Sequence, residues 1–456
     1  VKLMCEKVPL KFHGEGLGGL TLLAIETLLK PKRDPVDMYE KHALLISQRY
    51  RCNKCGESIR MGDCDADHII PLSRGGTKLQ IICRDCHLQK SASETESSRP
   101  WSPFTSTFNK AAHKAFASAE VPRTPPVNLI MGEINEKEVQ FGVDMVRCRA
   151  NAMRQPGYEW SVFSVYDNIE PSVDGVLCEW SYVDREVNIT RMCDQMRYFP
   201  YVRKGWYHRC VVSYLLDRGL KWHHIKFSFQ PTTLLPANVF KVPVETIVEA
   251  WMKIPEARAA RDHNDLAKES INAAIGSLCC RDQTFTYTVR SSGQLDDIPQ
   301  AGKYLMPTTL GEDQTNFDYI TARELLTLDS CRPIWEQIMN IEYLRLAQAR
   351  DIICSVVPQK AIRQCRTDCW LISTSRKKAK ELKTLLEAQT FKSIQRCTPF
   401  TRCQPEHLTD EKPFRIIDFD TPEKLERHKL KLVERYSLLN QKPSPMYPVL
   451  VEPPQK

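Results

Sequence analysis

Two cysteine hooks, Cys52-Asn53-Lys54-Cys55 and Cys83-Arg84-Asp85-Cys86, constrain this chain more than any other feature. Each CxxC can turn two thiols toward one point, and the two hooks together offer the four thiolates of a tetrahedral Zn²⁺ site. Four sulfurs leave no open coordination position, so such an ion would be structural. A unit of roughly 40 residues around it has too little core to fold alone and would draw much of its folding free energy from the metal. From the hooks alone, a zinc ribbon that only binds or only stabilises accounts for the pattern as well as a catalytic module does. The chain carries 18 cysteines. Outside the hooks most of them, such as Cys148, Cys178 and Cys354, stand singly in apolar text. That distribution fits buried thiols in a reducing compartment rather than a disulfide framework.

The 456 residues allow two or three domains. The longest apolar runs, such as residues 18–29, are too short or too polar to span a bilayer, and no membrane partner is expected. A net charge of +8 suits a nucleic-acid-binding protein, though it equally serves solubility. The text reads as an α+β chain in six stretches. Residues 1–49 are a helical lead-in, with helical periodicity over 17–30 and Asp34-Pro35 as the cap of a second helix. Residues 50–95 are the metal module, and 96–129 a linker that ends in the Pro-rich VPRTPPVN. From 130 to 385 short strands mix with helices: VQFGVDMV is a strand ending in an acid, 243–280 and 332–356 are helical, and 364–373 is strand, turn, strand. Residues 386–440 are a C-terminal helical segment with a last helix opening at Thr421-Pro422, and 441–456 a Pro-rich tail.

Between and after the hooks lie Asp67-His68-Ile69-Ile70-Pro71-Leu72, then Gly75-Gly76, then His87 directly after the last hook cysteine. This text resembles the HNH endonuclease family over about 40 residues. The resemblance implies a ββα-metal fold in which Asp67 and His87 bind Mg²⁺, Mn²⁺ or another divalent cation and His68 is the general base for the attacking water. A histidine suits that role because its pKa lies near neutral pH. The asparagine that the family carries before the second hook has no counterpart; Lys78 stands near its place, and Gln80 is the side chain available to substitute for it.

A second constellation follows residue 139. Asp144 closes a strand, Lys268, Asn272 and Gly276 recur every four residues and so share one helix face, and Asp368 sits in a turn between two apolar strands. Asp144 and Asp368, if joined across a sheet, could hold two metal ions suited to nucleotidyl transfer. By spacing alone, an ordinary amphipathic helix with an exposed lysine explains 268–276 better. The order of the three motifs resembles the palm and fingers of family B DNA polymerases of the viral and mobile-element type, some of which carry an HNH module ahead of the palm. INAAIGSL, RPIWEQIMNIEYL and GEGLGGLTLLAIETLLKPKR agree with this.

That second resemblance implies a polymerase palm and fingers-like domain over 130–385, a thumb-like segment over 386–440, and DNA template-primer and dNTPs as partners. It makes Asp144 and Asp368 catalytic metal-binding carboxylates, Lys268 a contact to the triphosphate, and Asn272 and Gly276 walls of the nucleotide pocket. Three positions depart from it: Arg366 stands for the first acid of the Asp-Thr-Asp turn, Arg149 lies near the place of a ribose-excluding tyrosine, and Ile275 replaces a tyrosine on the helix. The expected function is template-directed DNA synthesis with an HNH module. A homing-type nuclease on an inactive polymerase scaffold and a non-enzymatic zinc-stabilised DNA-binding remnant are the alternatives. A DNA substrate and reduced thiols imply an intracellular location, the nucleus or a virus-infected cytoplasm.

Overall fold

This computed structural model describes residues 16–29, 36–69, 78–96, 102–118, 121–134, 137–186, 196–254, 266–280, 283–292, 305–309, 317–326, 328–395, 400–419 and 421–428. Gly75-Gly76, Ile70-Pro71-Leu72 and the 441–456 tail lie outside them. The chain is a mixture of helix and strand, in agreement with the α+β expectation. It divides into two compact units, one of which contains Leu22–Pro103 and the other Gly14–Thr21 with Phe104–Lys456. No described helix is long and apolar enough to cross a membrane.

In the first unit, helix α1 (Met38–Ser47) opens at Asp37, whose side chain accepts the Tyr39 amide at 3.2 Å. Strands β1 (Cys64–His68) and β2 (Leu79–Cys83) form an antiparallel hairpin, and helix α2 (Arg84–Glu96) follows β2 without a break. Gln48, just past α1, ties itself to β2: its Nε2 donates to the Ile81 carbonyl at 2.8 Å and its Oε1 accepts the Ile81 amide at 2.7 Å. The apolar core is small, built on Leu45, Ile59, Ile81 and Ile82 together with Cys52, Cys64 and Cys86. Cysteine sulfur supplies nearly half of what is packed, as expected of a unit too small to bury a conventional core.

The second unit is organised around helix α5. Its members are β3 (Asn128–Ile130), β4 (Val139–Met145), α3 (Cys148–Arg154), α4 (Leu266–Cys280), α5 (Arg332–Val356), β5 (Ile362–Arg366), β6 (Cys369–Thr374), α6 (Arg376–Glu387) and β7 (Phe414–Asp418). The five strands form one antiparallel sheet in the order β7-β4-β6-β5-β3. Helix α5 is buried on nearly every side; a helix enclosed in this way has to pair its polar groups internally. Gln337 donates to the Glu159 carbonyl at 2.6 Å, Arg332 to the Ser118 carbonyl at 2.8 Å, and Asn340 Oδ1 accepts the His208 amide at 3.0 Å. Trp370 of β6 donates its indole N–H to the Leu346 carbonyl at 3.0 Å, fixing the sheet to the helix. A separate four-stranded sheet, Ile169–Pro171, Ile225–Phe229, Trp180–Val183 and Gly205–His208, packs its aromatic side chains with Phe108 and Phe116. Helix α4 packs against α5 and α3. Gly18 lies so close to α4 that a Cβ there would stand 2.6 Å from the Ala273 carbonyl oxygen, which explains a glycine at that position.

Two stretches differ from the sequence reading. The linker expected over 96–129 contains Phe104, Phe108 and Phe116, all fully buried, and strand β3 of the main sheet. The helical segment expected over 386–440 contains β7, which pairs with β4 beside Asp144. In both places the surrounding Pro and polar residues hide a few apolar residues that only distant partners bury.

Candidate functional site

The two cysteine hooks meet as expected. The sulfur atoms of Cys52, Cys55, Cys83 and Cys86 lie within 4.8 Å of one another, with Cys55 and Cys83 at 3.9 Å. A tetrahedral ion with bonds of about 2.3 Å requires sulfur separations of about 3.8 Å, so the four side chains fit a closed metal site. Backbone amides are turned toward the sulfurs: Lys54 and Cys83 donate to Cys52 Sγ at 3.4 and 3.3 Å, and Cys86 donates to Cys83 Sγ at 3.4 Å. Burial pushes the Cys52 thiol up, but the amides of Cys55, Cys83 and Lys54 outweigh it and bring its pKa down to about 6. One thiolate is thus favoured before any cation enters.

On the neighbouring hairpin, Asp65 and Asp67 are two residues apart on β1 and therefore on one face. Helix α2 lays His87 and Lys90, one turn apart, against that face. His87 Nδ1–H donates to Asp65 Oδ2 at 3.0 Å, and Lys90 donates to Asp67 Oδ2 at 2.5 Å and to the His68 carbonyl. Gln80, directly across the hairpin from Asp67, donates to the same Oδ2 at 3.1 Å and is itself held by the Asn53 amide at 2.8 Å. Burial acts to raise the Asp67 pKa, but the hydrogen bonds from Lys90 and Gln80 overcome it, so the carboxyl is held below its ordinary value and ionised.

Both donors take Oδ2, which leaves Oδ1 outside these bonds. The Asp65 bond likewise takes Nδ1 of His87 and leaves Nε2 for a metal, the usual arrangement in which a carboxylate orients a ligating imidazole. Each residue thus keeps one ligand atom outside these bonds, while the four cysteines are the one group of three or more ligand side chains that converges among the described residues. His68 lies next along β1, partly exposed. Sequence reasoning missed Asp65 and Lys90. Their signals were present: Asp65 lies two residues before Asp67 on a strand, and Lys90 three after His87 on a helix.

In the second unit, Asp144 and Asp368 come together through the sheet. Asp144 lies opposite Cys369 in the β4–β6 register, and the Met145 amide donates to the Asp368 carbonyl at 2.9 Å. Thr367 takes a left-handed conformation (φ 53°) to close the two-residue β5–β6 turn, which holds Asp368 at the sheet end. Burial, then the charges of Asp144 and Glu342, raise the Asp368 pKa to about 6; Lys268 acts in the opposite direction. Lys268, Asn272 and Gly276 share one exposed face of α4, while Ala267, Ile271, Ala274 and Ile275 are buried on the other. Open space lies around Gly276. Arg366 is exposed at the end of β5, and Arg149 bonds the buried Glu342. Arg415 of β7 donates to Asp144 Oδ2 at 2.6 Å. The basic start of α6 exposes Arg376, Lys377, Lys378 and Lys380 and buries Ala379, Leu382 and Leu386.

Residues 52–93 match the family model described as HNH endonuclease. No curated protein sequence matches the chain. Two solved structures are similar in part. One is "Phi29 DNA polymerase complexed with single-stranded DNA", at 12% identity and TM-score 0.33, covering 59% of this chain and 43% of that one. The other is "Phi29 DNA polymerase complexed with primer-template DNA (post-translocation binary complex)", at 10% identity and TM-score 0.32, covering 68% of this chain and 55% of that one. The chain spans about half the length of those proteins. Such TM-scores are too low to carry a functional argument, which has to come from the two sites.

Proposed function

We propose that the chain is a DNA-handling enzyme with two metal-dependent centres: a template-directed DNA polymerase site of family B type on the main sheet of the second unit, and an HNH phosphodiester-cleaving site in the first. The polymerase reading is carried by the meeting of Asp144, Asp368 and Lys268, drawn from three distant stretches of sequence, at one end of that sheet. A buried carboxylate raised by a neighbouring carboxylate, with a lysine within electrostatic reach, suits a centre that binds cations and phosphates together. Divalent ions there would lower the pKa of a primer 3′-hydroxyl and neutralise charge on the triphosphate. Asp144 and Asp368 supply carboxylate oxygens, Lys268 contacts the phosphates, and Asn272 and Gly276 shape the nucleotide pocket. As the 3′-oxygen bonds to the α-phosphorus, the bond to the bridging oxygen breaks and pyrophosphate leaves.

In the first unit the four cysteines would hold a structural Zn²⁺, while Asp67 and His87 would hold Mg²⁺ or Mn²⁺ to neutralise the scissile phosphate. His68 takes the proton of the attacking water as the new P–O bond forms and the ester oxygen departs. Two observations favour a second reading, nuclease activity alone: Arg366 stands where a carboxylate would otherwise join the pair, and Arg415 already bonds Asp144.

The test is an incubation of the full chain with Mg²⁺ or Mn²⁺ and either plasmid or primed DNA, with and without dNTPs, beside His68→Ala and Asp368→Ala. Extension that only Asp368→Ala abolishes supports the polymerase. Nicking that only His68→Ala abolishes, with no extension, leaves the nuclease alone. Zinc-loaded protein with neither activity overturns both.

A further inference from the structure

Helix α3 begins three residues after β4, so Arg149 stands five residues beyond Asp144. Its Nε–H donates to Glu342 Oε2 at 2.8 Å. The Glu342 side chain is fully enclosed, and that of Arg149 is 28% exposed. The pair therefore has a buried anchor and a partly open head. Its geometry is one-sided. Glu342 takes only Nε, and the two terminal amino groups of Arg149 bond to no described residue. Glu342 Oε1 also lies buried with no hydrogen-bond partner among the described residues.

Stability does not explain such a pair. An enclosed carboxylate with an unpaired oxygen costs folding free energy, and two well-packed apolar side chains would serve the fold better. What the arrangement does provide is a guanidinium whose position is fixed from behind. Arg149 is within electrostatic reach of Asp368, which also feels Asp144 and Lys268. Asp144 and Asp368, with Arg149, Lys268 and Arg415 around them, complement the charge pattern of a metal-chelated polyphosphate. A planar guanidinium with both terminal amino groups free can also bond two phosphate oxygens at once, as a lysine cannot.

We propose that Arg149 is a substrate-binding residue that grips the phosphates of an incoming nucleoside triphosphate beside Lys268, and that Glu342 is the positioning residue that holds it there. This deepens the polymerase reading and rests on it. The position departs from the family pattern, so the assignment comes from the contacts of this chain.

The experiment is steady-state single-nucleotide incorporation by the full chain on primed DNA with Mg²⁺. It compares wild type, Arg149→Ala, Arg149→Lys and Glu342→Gln, with primer-template affinity and thermal melting measured alongside. Arg149→Ala is expected to raise the KM for dNTP by roughly tenfold or more, to change kcat less, and to leave primer-template affinity unchanged. Pyrophosphate inhibition should weaken in parallel. Arg149→Lys, which keeps a cation beside Glu342 and so protects the fold, should fall between wild type and alanine. Glu342→Gln should raise KM with a smaller effect. Folded variants with an unaltered KM and unaltered pyrophosphate inhibition overturn the inference while the polymerase reading stands. If Arg149→Ala alone misfolds, Arg149→Lys decides. A wild type that neither incorporates nor binds dNTP removes the polymerase reading, and this inference with it.

Discussion

Asp67 and Asp368 are both aspartates brought to a candidate metal site by antiparallel strands, yet their carboxyls shift in opposite directions. Asp67 is buried against Lys90 and Gln80 and is held below its ordinary pKa. Asp368 is buried near Asp144 and Glu342 and is raised to about 6. In the small unit a lysine favours the ionised form of Asp67 before any cation arrives. In the large unit Arg415 bonds Asp144, while Asp368 keeps the repulsion of Asp144 and Glu342, which a bound cation would relieve. The small unit has few apolar contacts and relies on sulfur and polar bonds; the large one encloses a 25-residue helix whose Glu342 adds to the charge that Asp368 feels.

The largest effect that should separate the two units is loss of the sulfur site. Replacing Cys83 by Ser, or stripping metal with a strong chelator, should unfold residues 50–95. Structural zinc contributes about 10 kcal/mol or more to folding in units of this kind. Amide exchange would show loss of protection in β1, β2 and α2, with protection in β4, β6 and α5 retained. A module that keeps its protection after the substitution would mean that its small apolar core, not the metal, holds it.

Next in size is Asp368→Asn. It removes a ligand and a repulsive charge together, so nucleotide incorporation should fall by about a thousandfold or more while the metal-free protein becomes more stable at neutral pH. Incorporation by primer extension and melting without divalent ions test the two halves separately. An equivalent change at Asp67 should do the opposite to stability, because Lys90 would lose its carboxylate counter-charge.

How far the sequence revealed these sites depended on the range of the contacts. The hooks, the strand-turn-strand around Asp368 and the 332–356 helix were legible because each is local: a two-residue gap, a turn residue, a 3.6 period. Asp65 and Lys90 escaped because a motif marks the ligand, whereas the group that orients the ligand is chosen by how α2 lies on β1. Strand β7 escaped because FRIID has only five residues and no turn to introduce it, and its place beside Asp144 is fixed by pairing 271 residues apart. The Arg149–Glu342 pair spans 193 residues and joins two helices; nothing in either helix alone indicates it.

A third prediction concerns the missed carboxylate. Asp65→Asn keeps the shape of the side chain but cannot accept the His87 Nδ1–H as strongly, so His87 is oriented less firmly and is a poorer base toward a cation. Losses of this kind run from about tenfold to a hundredfold in metal affinity or activity. Nicking titrated with Mn²⁺ should need correspondingly more metal, and saturating metal should restore most of the rate. A rate that metal cannot restore would place Asp65 in the cleavage step itself.

The smallest effect is a pH dependence, and its sign is opposite in the two units. Asp368 has a folded-state pKa of about 6 against an ordinary 3.8, so the folded protein binds the extra proton between those values. Stability from this group is therefore lost as pH rises from about 4 through 6, and its charged form costs on the order of 2 kcal/mol at pH 7 once partial exposure is allowed for. Asp67 is lowered, so its contribution is in place above the ordinary carboxylate range and is lost only on acidification below it. In the absence of divalent ions, wild type and Asp368→Asn should differ in melting at pH 7 and converge toward pH 4. Adding Mg²⁺ at pH 7 should close the gap from the other direction, because a bound cation relieves the repulsion that the asparagine removes. If the gap survives both acid and Mg²⁺, the raised pKa does not come from an exchangeable charge at the sheet end, and the contrast between the two aspartates fails.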